Sequence, residues 1–96
     1  MQGVLLEFQF GDDFDPARIA GIAHEARAAF DGMPGLRQKA FTVDETNRRA
    51  VNVYLWTSEQ AAREFFSEAL VERVTGLYGV RPSMSFVEVA ELVDNG

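Results

Sequence analysis

No cysteine occurs among the 96 residues of the chain. A disulfide framework, a thiolate nucleophile and a cysteine-based zinc or iron–sulfur site are therefore excluded. Histidine is nearly as scarce, since His24 is its only example. No oxygen ligands lie at a spacing that would complete a metal site around this histidine, so we predict no bound metal.

Positive charge is also in short supply. Nine lysine and arginine residues stand against fifteen aspartate and glutamate residues, which gives a net charge of −6. Nucleic acid and anionic membranes repel such a chain, so we expect neither as a partner. No apolar run approaches the ~18 residues of a membrane span. The first apolar run carries Glu7 and has no basic leader, so it does not predict a signal peptide. These features favour a cytoplasmic protein.

Length and composition indicate one globular domain over residues 1–96. Of these residues 47% are hydrophobic and 25% are charged, as in ordinary soluble domains. A chain this short has a thin core, so burial against a partner would add to its stability.

The most informative stretch runs from Arg49 to Trp56. Successive side chains of a strand point to opposite faces, so this stretch presents two rows. One row is aliphatic: Val51, Val53 and Leu55. The other row combines aromatic surface with hydrogen-bonding groups: Ala50, Asn52, Tyr54 and Trp56. Neither row suits water, so the pattern predicts a central strand covered on both faces.

Alternation of apolar and polar residues predicts three further strands. They are Val4–Phe10, Leu36–Asp44 and Ser83–Val93. The last of them is apolar on both rows, which suggests cover on both faces. The polar connection 45–48 joins the second and third strands as an antiparallel hairpin.

Two helices are predicted between the strands. The first begins at the Asp15-Pro16 cap and ends at about Phe30. The second begins at a capping box of Thr57 and Gln60 and continues irregularly over Val71–Tyr78. Before the second strand, the Pro34-Gly35 pair predicts a type II turn.

This order of elements predicts an α+β fold of the ferredoxin-like βαββαβ type with an antiparallel four-stranded sheet. We expect the first and third strands to be central and parallel to each other, and both helices to cover one face of the sheet. The other face is too apolar to lie bare in water. We therefore expect a homodimer in which two sheets pack face to face.

Five segments resemble the small YdhR-type monooxygenase family, which belongs to the dimeric α+β barrel superfamily together with the antibiotic-biosynthesis monooxygenases. They are the opening strand VLLEFQF, the MPGL turn at Met33–Leu36, the NVYLW strand at Asn52–Trp56, the SEQAAREFF helix at Ser58–Phe66 and the closing strand SFVEVAELVDN. One departure is the Val51-Asn52 pair, where relatives commonly have two glycines. These larger side chains would narrow a cavity beside the strand.

The resemblance implies a cavity between sheet and helices in each protomer of the dimeric barrel. It also implies oxygen-dependent chemistry on a small aromatic compound without a bound cofactor. In superfamily members an asparagine and a tryptophan four residues apart contact the substrate, and Asn52 and Trp56 have this spacing. We therefore predict both as catalytic donors to the developing oxyanion of a polyphenol or quinol. Tyr54 and Phe65 are predicted to bind the substrate.

Three polar residues have both a functional and a structural interpretation. Glu7 is predicted to contact the substrate if its row lines the cavity, and otherwise to pair with arginine or lysine at a rim. Arg81 is predicted to anchor an anionic edge of the substrate, and otherwise to be a solvated loop residue. His24 lies off the apolar stripe of its helix, which predicts a solvated position rather than a general base or a haem ligand.

Two other interpretations of the whole chain stay open. In the first, the protein is a non-catalytic dimer that binds a small apolar or aromatic ligand. In the second, some of the eight phenylalanine side chains fill the cavity, and Tyr54 and Trp56 are core aromatics of a structural dimer.

Overall fold

The computed structural model describes residues 1–96 and contains four strands and three helices. In chain order they are β1 (Gln2–Gln9), α1 (Pro16–Phe30), β2 (Leu36–Asp44), β3 (Arg49–Trp56), α2 (Glu59–Phe65), α3 (Glu68–Tyr78) and β4 (Ser83–Glu88). This order confirms the ferredoxin-like α+β fold. The second predicted helix is divided into α2 and α3.

The four strands form one antiparallel sheet in the order β2-β3-β1-β4. β1 and β3 are central, as predicted, but the prediction that they run parallel was wrong, because their ladder is antiparallel. The connectivity explains the direction. α1 returns the chain so that β2 runs the same way as β1, and the β2–β3 hairpin then reverses it.

The mixed aromatic and amide row of β3 faces the helices. Asn52, Tyr54 and Trp56 are each at most 3% exposed. β1 supplies the adjoining core side chains, Val4, Leu6, Phe8 and, just beyond the strand, Phe10. The aliphatic row of β3, Val51, Val53 and Leu55, is only half-buried in the single chain. The helices therefore cover one face of the sheet and leave the other face open.

A β-bulge in β2 changes which of its side chains face the helices. Leu36 pairs with Trp56 and Gln38 pairs with Leu55, so Arg37 is an extra residue without a partner in the ladder. Leu36 and Lys39 are three residues apart, so they would lie on opposite faces of a regular strand. The extra residue in the bulge places both on the same face.

Beyond the bulge the ladder is regular. Lys39 pairs with Tyr54, and Phe41 pairs with Asn52. Because paired residues of antiparallel strands project to the same side, Lys39 and Phe41 lie on the face that the helices cover. A basic side chain is thereby placed beside the core.

Arg18, in the first turn of α1, takes part in the cap of this helix and also connects it to the end of α3. The Asp15 carboxylate accepts a hydrogen bond from the backbone N–H of Arg18 at 3.2 Å, which confirms the predicted cap. The Arg18 guanidinium donates to the carbonyl oxygens of Leu77 at 2.7 Å and Tyr78 at 3.3 Å, at the end of α3.

None of the three helices has the length and apolarity needed to cross a membrane.

Serine caps divide the segment that was predicted as a single helix. The predicted cap at Thr57 is one residue early, because the Ser58 hydroxyl accepts the hydrogen bond that begins α2. The Ser67 hydroxyl caps α3 in the same way. α3 then continues regularly through Val71–Tyr78 and ends at Gly79, which has a left-handed φ of 86°. The predicted irregularity was therefore wrong.

β4 is shorter than predicted, because it ends at Glu88 rather than at Val93. Its partner is β1, and the last pair of their ladder is Gln2 with Glu88. One more backbone hydrogen bond follows this pair, from the Val89 N–H to the Met1 carbonyl oxygen at 3.0 Å, and the ladder then ends. Val93 is accordingly 78% exposed, although its apolar pattern suggested a buried strand.

The turn at Met33–Leu36 is confirmed. The Leu36 backbone N–H donates to the Met33 carbonyl oxygen at 3.2 Å, and Gly35 has a φ of +82°. Only glycine adopts such a φ without strain.

Substitution Gly35→Ala is expected to lower the free energy of unfolding by about 1–2 kcal/mol. The new Cβ would require the left-handed conformation and would lie 3.0 Å from the Cβ of Ala61 on α2. Urea denaturation of both proteins measures the loss. Gly32→Ala is the matched control, because Gly32 has a φ of +73° and an added Cβ there would have no atom within 4 Å. Equal losses in the two variants would show that the contact with α2 adds nothing.

Candidate functional site

A cavity of about 200 Å³ lies between the covered face of the sheet and the three helices. Twelve of its fifteen lining residues are hydrophobic, and the other three are Lys39, Asn52 and Arg73. Apolar walls with a few polar groups are typical of small-molecule sites. Drug-sized ligands usually occupy about 300–1,000 Å³, so this cavity suits a compound of one or two rings.

Asn52 and Tyr78 form a buried polar pair in the wall. The Asn52 Nδ2 donates to the Tyr78 hydroxyl at 3.2 Å, while the Asn52 Oδ1 is buried with no hydrogen-bond partner. Tyr78 is held in place by stacking on Phe8, with ring centroids 3.8 Å apart. Burial raises the pKa of Tyr78, so its hydroxyl stays protonated and can donate. The pair therefore offers an acceptor from Asn52 and a donor from Tyr78.

Tyr54 and Phe65, two of the predicted substrate-binding residues, also line the cavity. Burial raises the pKa of Tyr54 well above its ordinary value of 10.0, so Tyr54 is not a phenolate at neutral pH. Its ring and that of Phe65 have centroids 6.2 Å apart and supply flat apolar surface. Tyr54 and Phe65 therefore form part of the apolar wall of the cavity.

Lys39, the only lysine of the chain, also lies in the wall of this cavity. Its Nζ lies 3.3 Å from the centroid of the Phe30 ring, 4.0 Å from that of Phe41 and 4.4 Å from that of Tyr54. Burial lowers the pKa of Lys39 from 10.5 to about 7. The ring faces attract the ammonium form and act in the opposite direction, so the amine keeps its ability to take up a proton.

Substitution Lys39→Met is expected to raise the free energy of unfolding by on the order of 1–3 kcal/mol below neutral pH. The pKa of Lys39 is about 7 in the folded chain and near 10.5 in the unfolded chain, so the unfolded chain binds more protons between these values. Stability of the wild type therefore rises with pH across this window. Partial contact of the amine with solvent keeps the effect below the full value of the pKa difference.

Urea denaturation at a series of pH values measures this difference. The advantage of the methionine variant should be largest below the folded pKa of about 7 and should disappear towards 10.5. Arg63→Met, on the exposed side of α2 and outside both the cavity and the polar depression beside it, is a control that should show no such pH dependence. A constant difference between Lys39→Met and the wild type would contradict a lowered pKa.

Trp56 lies behind the cavity rather than in its wall. Its ring packs against Phe65 with centroids 5.1 Å apart, and Phe65 lines the cavity whereas Trp56 does not. The indole Nε1 is buried without a partner. Four residues along a strand cover about 13 Å, which separates Trp56 from Asn52. The structure therefore does not bring the two predicted catalytic residues to one ligand-sized space.

Glu7 and Arg81 do not reach the cavity either. β1 directs alternate side chains to the helices, and Glu7 belongs to the other row. It accepts a hydrogen bond from Arg49 Nη1 at 3.1 Å on the open face. Arg81 is exposed and pairs with Glu68 at 3.1 Å. Glu7 therefore makes the kind of ion pair that its structural interpretation described, and Arg81 is an exposed loop residue with an ion pair that was not predicted.

His24 is exposed on α1, as its place off the apolar stripe predicts. It has no group of acidic side chains around it that could complete a metal site. It is also absent from the lining of the cavity.

Sequence reasoning missed Lys39 and Tyr78. The hairpin offered a signal for Lys39, because counting back from the pair of Asp44 and Arg49 sets Lys39 opposite Tyr54. Tyr78 follows Val71 at a helical spacing of seven, which places both on the buried face of α3. No local pattern indicated that the Tyr78 hydroxyl would meet Asn52.

Sheet, helices and cavity together define a ferredoxin-like α+β domain with room for a small ligand. No protein-family profile matches the sequence, and no curated protein matches it. Solved structures with the same fold are nevertheless found.

The chain is similar to a monooxygenase from the gene ActVA-Orf6 of Streptomyces coelicolor, solved in complex with nanaomycin D. The TM-score is 0.70 at 17% identity, over 99% of this chain and 92% of that chain. A mutant of SnoaB, a cofactor-independent oxygenase from Streptomyces nogalater, gives 0.69 at 15% identity, over 96% of this chain and 95% of that chain. An antibiotic biosynthesis monooxygenase gives 0.70 at 11% identity, over 95% and 100%. The chain thus has the fold of antibiotic biosynthesis monooxygenases over its whole length.

Proposed function

We propose that the protein is a cofactor-independent monooxygenase that acts on a small phenolic compound, of the YdhR type within the dimeric α+β barrel superfamily. The observation that carries the proposal is the Asn52 Oδ1, which is buried without a partner on a residue that lines an apolar cavity. Such an acceptor costs free energy unless a ligand hydroxyl donates to it. The fold comparison supports the reaction class, because SnoaB is a cofactor-independent oxygenase.

The reaction requires only the substrate and dioxygen. Loss of the hydroxyl proton gives an electron-rich phenolate, whose para carbon reacts with dioxygen to form a hydroperoxide. Loss of water from the hydroperoxide leaves a quinone, so that one oxygen atom enters the product and the other leaves as water. Substrate electrons reduce the oxygen. The protein contributes a dry cavity, the Asn52 Oδ1 that accepts from the hydroxyl of the neutral substrate, and the Tyr78 hydroxyl that donates to the substrate oxygen.

We further propose that two protomers associate through the open face of the sheet. That face carries the aliphatic row of β3, half-buried in the single chain, and Val87 of β4, which is 46% exposed. Apolar sheet surface of this kind favours association. Size-exclusion chromatography with light scattering tests the proposal, and a monomer at micromolar concentration would overturn it. A cytoplasmic location stays a prediction.

α-Naphthol is a suitable two-ring probe of the reaction. With the purified protein in air, we expect oxygen uptake and formation of the para-naphthoquinone in equal amounts. Isotopically labelled dioxygen should place one labelled atom in the quinone and one in water. The matched control is protein without the probe and probe without the protein.

Two results would count against the proposal. Absence of oxygen uptake with α-naphthol and with dihydroxynaphthalenes would overturn it. Saturable binding of these compounds without oxygen uptake would identify the protein as a binding module instead.

A further inference from the structure

We propose that the Lys39 amine is the group that accepts the hydroxyl proton of a phenolic ligand in the cavity, so that the substrate class is a phenol that enters neutral. This inference rests on the proposed function for its role in turnover. The proton transfer itself can be observed without turnover. It concerns a side chain that lines the cavity from β2, on the strand next to Asn52.

The cage around Lys39 surrounds the amine with aromatic rings and gives it no anionic partner. Three aromatic rings surround Nζ at 3.3–4.4 Å, and Lys39 makes no ion pair with any carboxylate. An ammonium group placed among apolar rings loses most of its hydration, and no anion replaces that hydration here. A phenolate formed beside it would be that anion.

Other charged groups near Lys39 cannot take the same proton. Arg27 from the α1 side and Arg73 from α3 are guanidinium groups, which do not lose a proton in proteins and therefore cannot act as bases. Tyr54 and Tyr78 remain protonated because burial raises the pKa of each. Asp31 is the one carboxylate nearby, and it is exposed in a separate depression outside the cavity.

That depression offers a way for the proton to leave. It has a volume of about 280 Å³ and is mostly polar, with Asp31, Arg37 and Gln38 among its lining residues. Lys39 also lines it, so the same side chain borders the apolar cavity and a polar surface. A base must release its proton before the next turnover, and this position gives Lys39 access to water for that step.

The step balances without any oxidant. The hydroxyl of the neutral phenol first donates to Asn52 Oδ1 and then turns to Nζ, where the O–H bond breaks and an N–H bond forms, so that a neutral pair becomes a phenolate and an ammonium. The Tyr78 hydroxyl can donate to the phenolate oxygen, because its own hydrogen-bond acceptor role is taken by Asn52 Nδ2. Attraction between two opposite charges in contact within a low-dielectric cavity offsets the higher pKa of a free phenol.

Anaerobic titration of the protein with α-naphthol tests the inference. Without oxygen, ionisation is separated from oxygenation. At about pH 8, free α-naphthol is neutral, as expected for an ordinary phenol, and its anion is distinguished by its absorption. We expect the bound form in the wild type to be naphtholate. We expect Lys39→Met to bind α-naphthol in the neutral form, with a naphtholate fraction at least ~10-fold lower.

Lys39→Arg separates proton acceptance from simple attraction of an anion. Arginine is always charged, so any naphtholate bound to this variant must release its proton to the buffer. Calorimetry in buffers of different ionisation enthalpy counts that proton. We expect about one proton released per ligand by Lys39→Arg and almost none by the wild type, in which the proton passes to Nζ.

Each outcome decides the inference. Equal naphtholate fractions in the wild type and Lys39→Met, full proton release by the wild type, or no binding of α-naphthol would overturn it. NMR of the single ¹³C-methylated lysine gives an independent check on the folded wild type. A titration midpoint near 10.5 rather than about 7 would also overturn the inference. If naphtholate forms anaerobically but no oxygen is consumed in air, the proposed function fails and this inference stands.

Discussion

Replacement of Trp56 by alanine is expected to lower the free energy of unfolding by about 3–5 kcal/mol. The Trp56 side chain is 1% exposed and is among the largest fully buried side chains of the chain. Its ring packs against Tyr54, Phe65 and Phe66, with centroids between 5.1 and 6.3 Å away. Alanine would leave a void in an aromatic cluster that has no other side chain to fill it. A domain of this size is only marginally stable, so the loss would remove a large part of its stability.

Urea denaturation followed by circular dichroism measures this loss, since the variant has no tryptophan fluorescence. Val43→Ala is the control. Val43 is 37% exposed near the end of β2 and pairs with Ala50, so it lies away from the open face and its loss should be clearly smaller. Trp56→Phe keeps an aromatic ring and removes the unpaired indole N–H, so it should cost less than Trp56→Ala. Equal costs for Trp56→Ala and Val43→Ala would contradict the central position of the ring in the core.

Asn52→Ala is expected to lower turnover of α-naphthol by about 100-fold, if the protein is the proposed oxygenase. The substitution removes the free acceptor Oδ1 and also releases the Tyr78 hydroxyl from its partner. The substrate oxygen would then lose both of the groups that position it. Initial rates of oxygen uptake measure the effect, and circular dichroism confirms that the variant is folded.

Tyr78→Phe is the matched comparison for Asn52→Ala. It removes the hydroxyl but leaves the Asn52 amide in the wall, so its turnover should fall between those of the wild type and Asn52→Ala. Trp56→Phe tests the other residue predicted as catalytic. Because its ring does not line the cavity, we expect little change in turnover. Unchanged turnover in Asn52→Ala would remove Asn52 from the proposed mechanism.

Much of the fold follows from local patterns. The alternation in β1 and β3 predicts two central strands. The Asp15-Pro16 cap marks the start of α1. The Pro34-Gly35 turn marks the connection that leads into β2. These features depend on neighbouring residues, which the sequence displays directly. The end of β4 depends instead on where β1 begins, a contact between distant parts of the chain. The apolar pattern over 89–93 could not reveal it.

The polar groups of the cavity were harder to predict for the same reason. Asn52 stands out because an amide interrupts an otherwise apolar row. Its partner Tyr78 comes from α3, and only the packing of that helix brings the two together. From the sequence alone, Lys39 is expected to be exposed to solvent, because lysine usually lies at the protein surface. The three rings that enclose its amine come from α1, β2 and β3, so no single segment carries the signal.

A protein whose sole lysine lies in a cavity wall has an unusual outer surface. Its other eight basic side chains are arginines, so the half-buried Lys39 amine is the one side-chain target for acylating reagents and amine cross-linkers. A protease that cuts after lysine has one place to act, in the middle of the edge strand β2. Cleavage there requires β2 to detach from β3 first, so the rate of proteolysis measures how often this wall of the cavity opens.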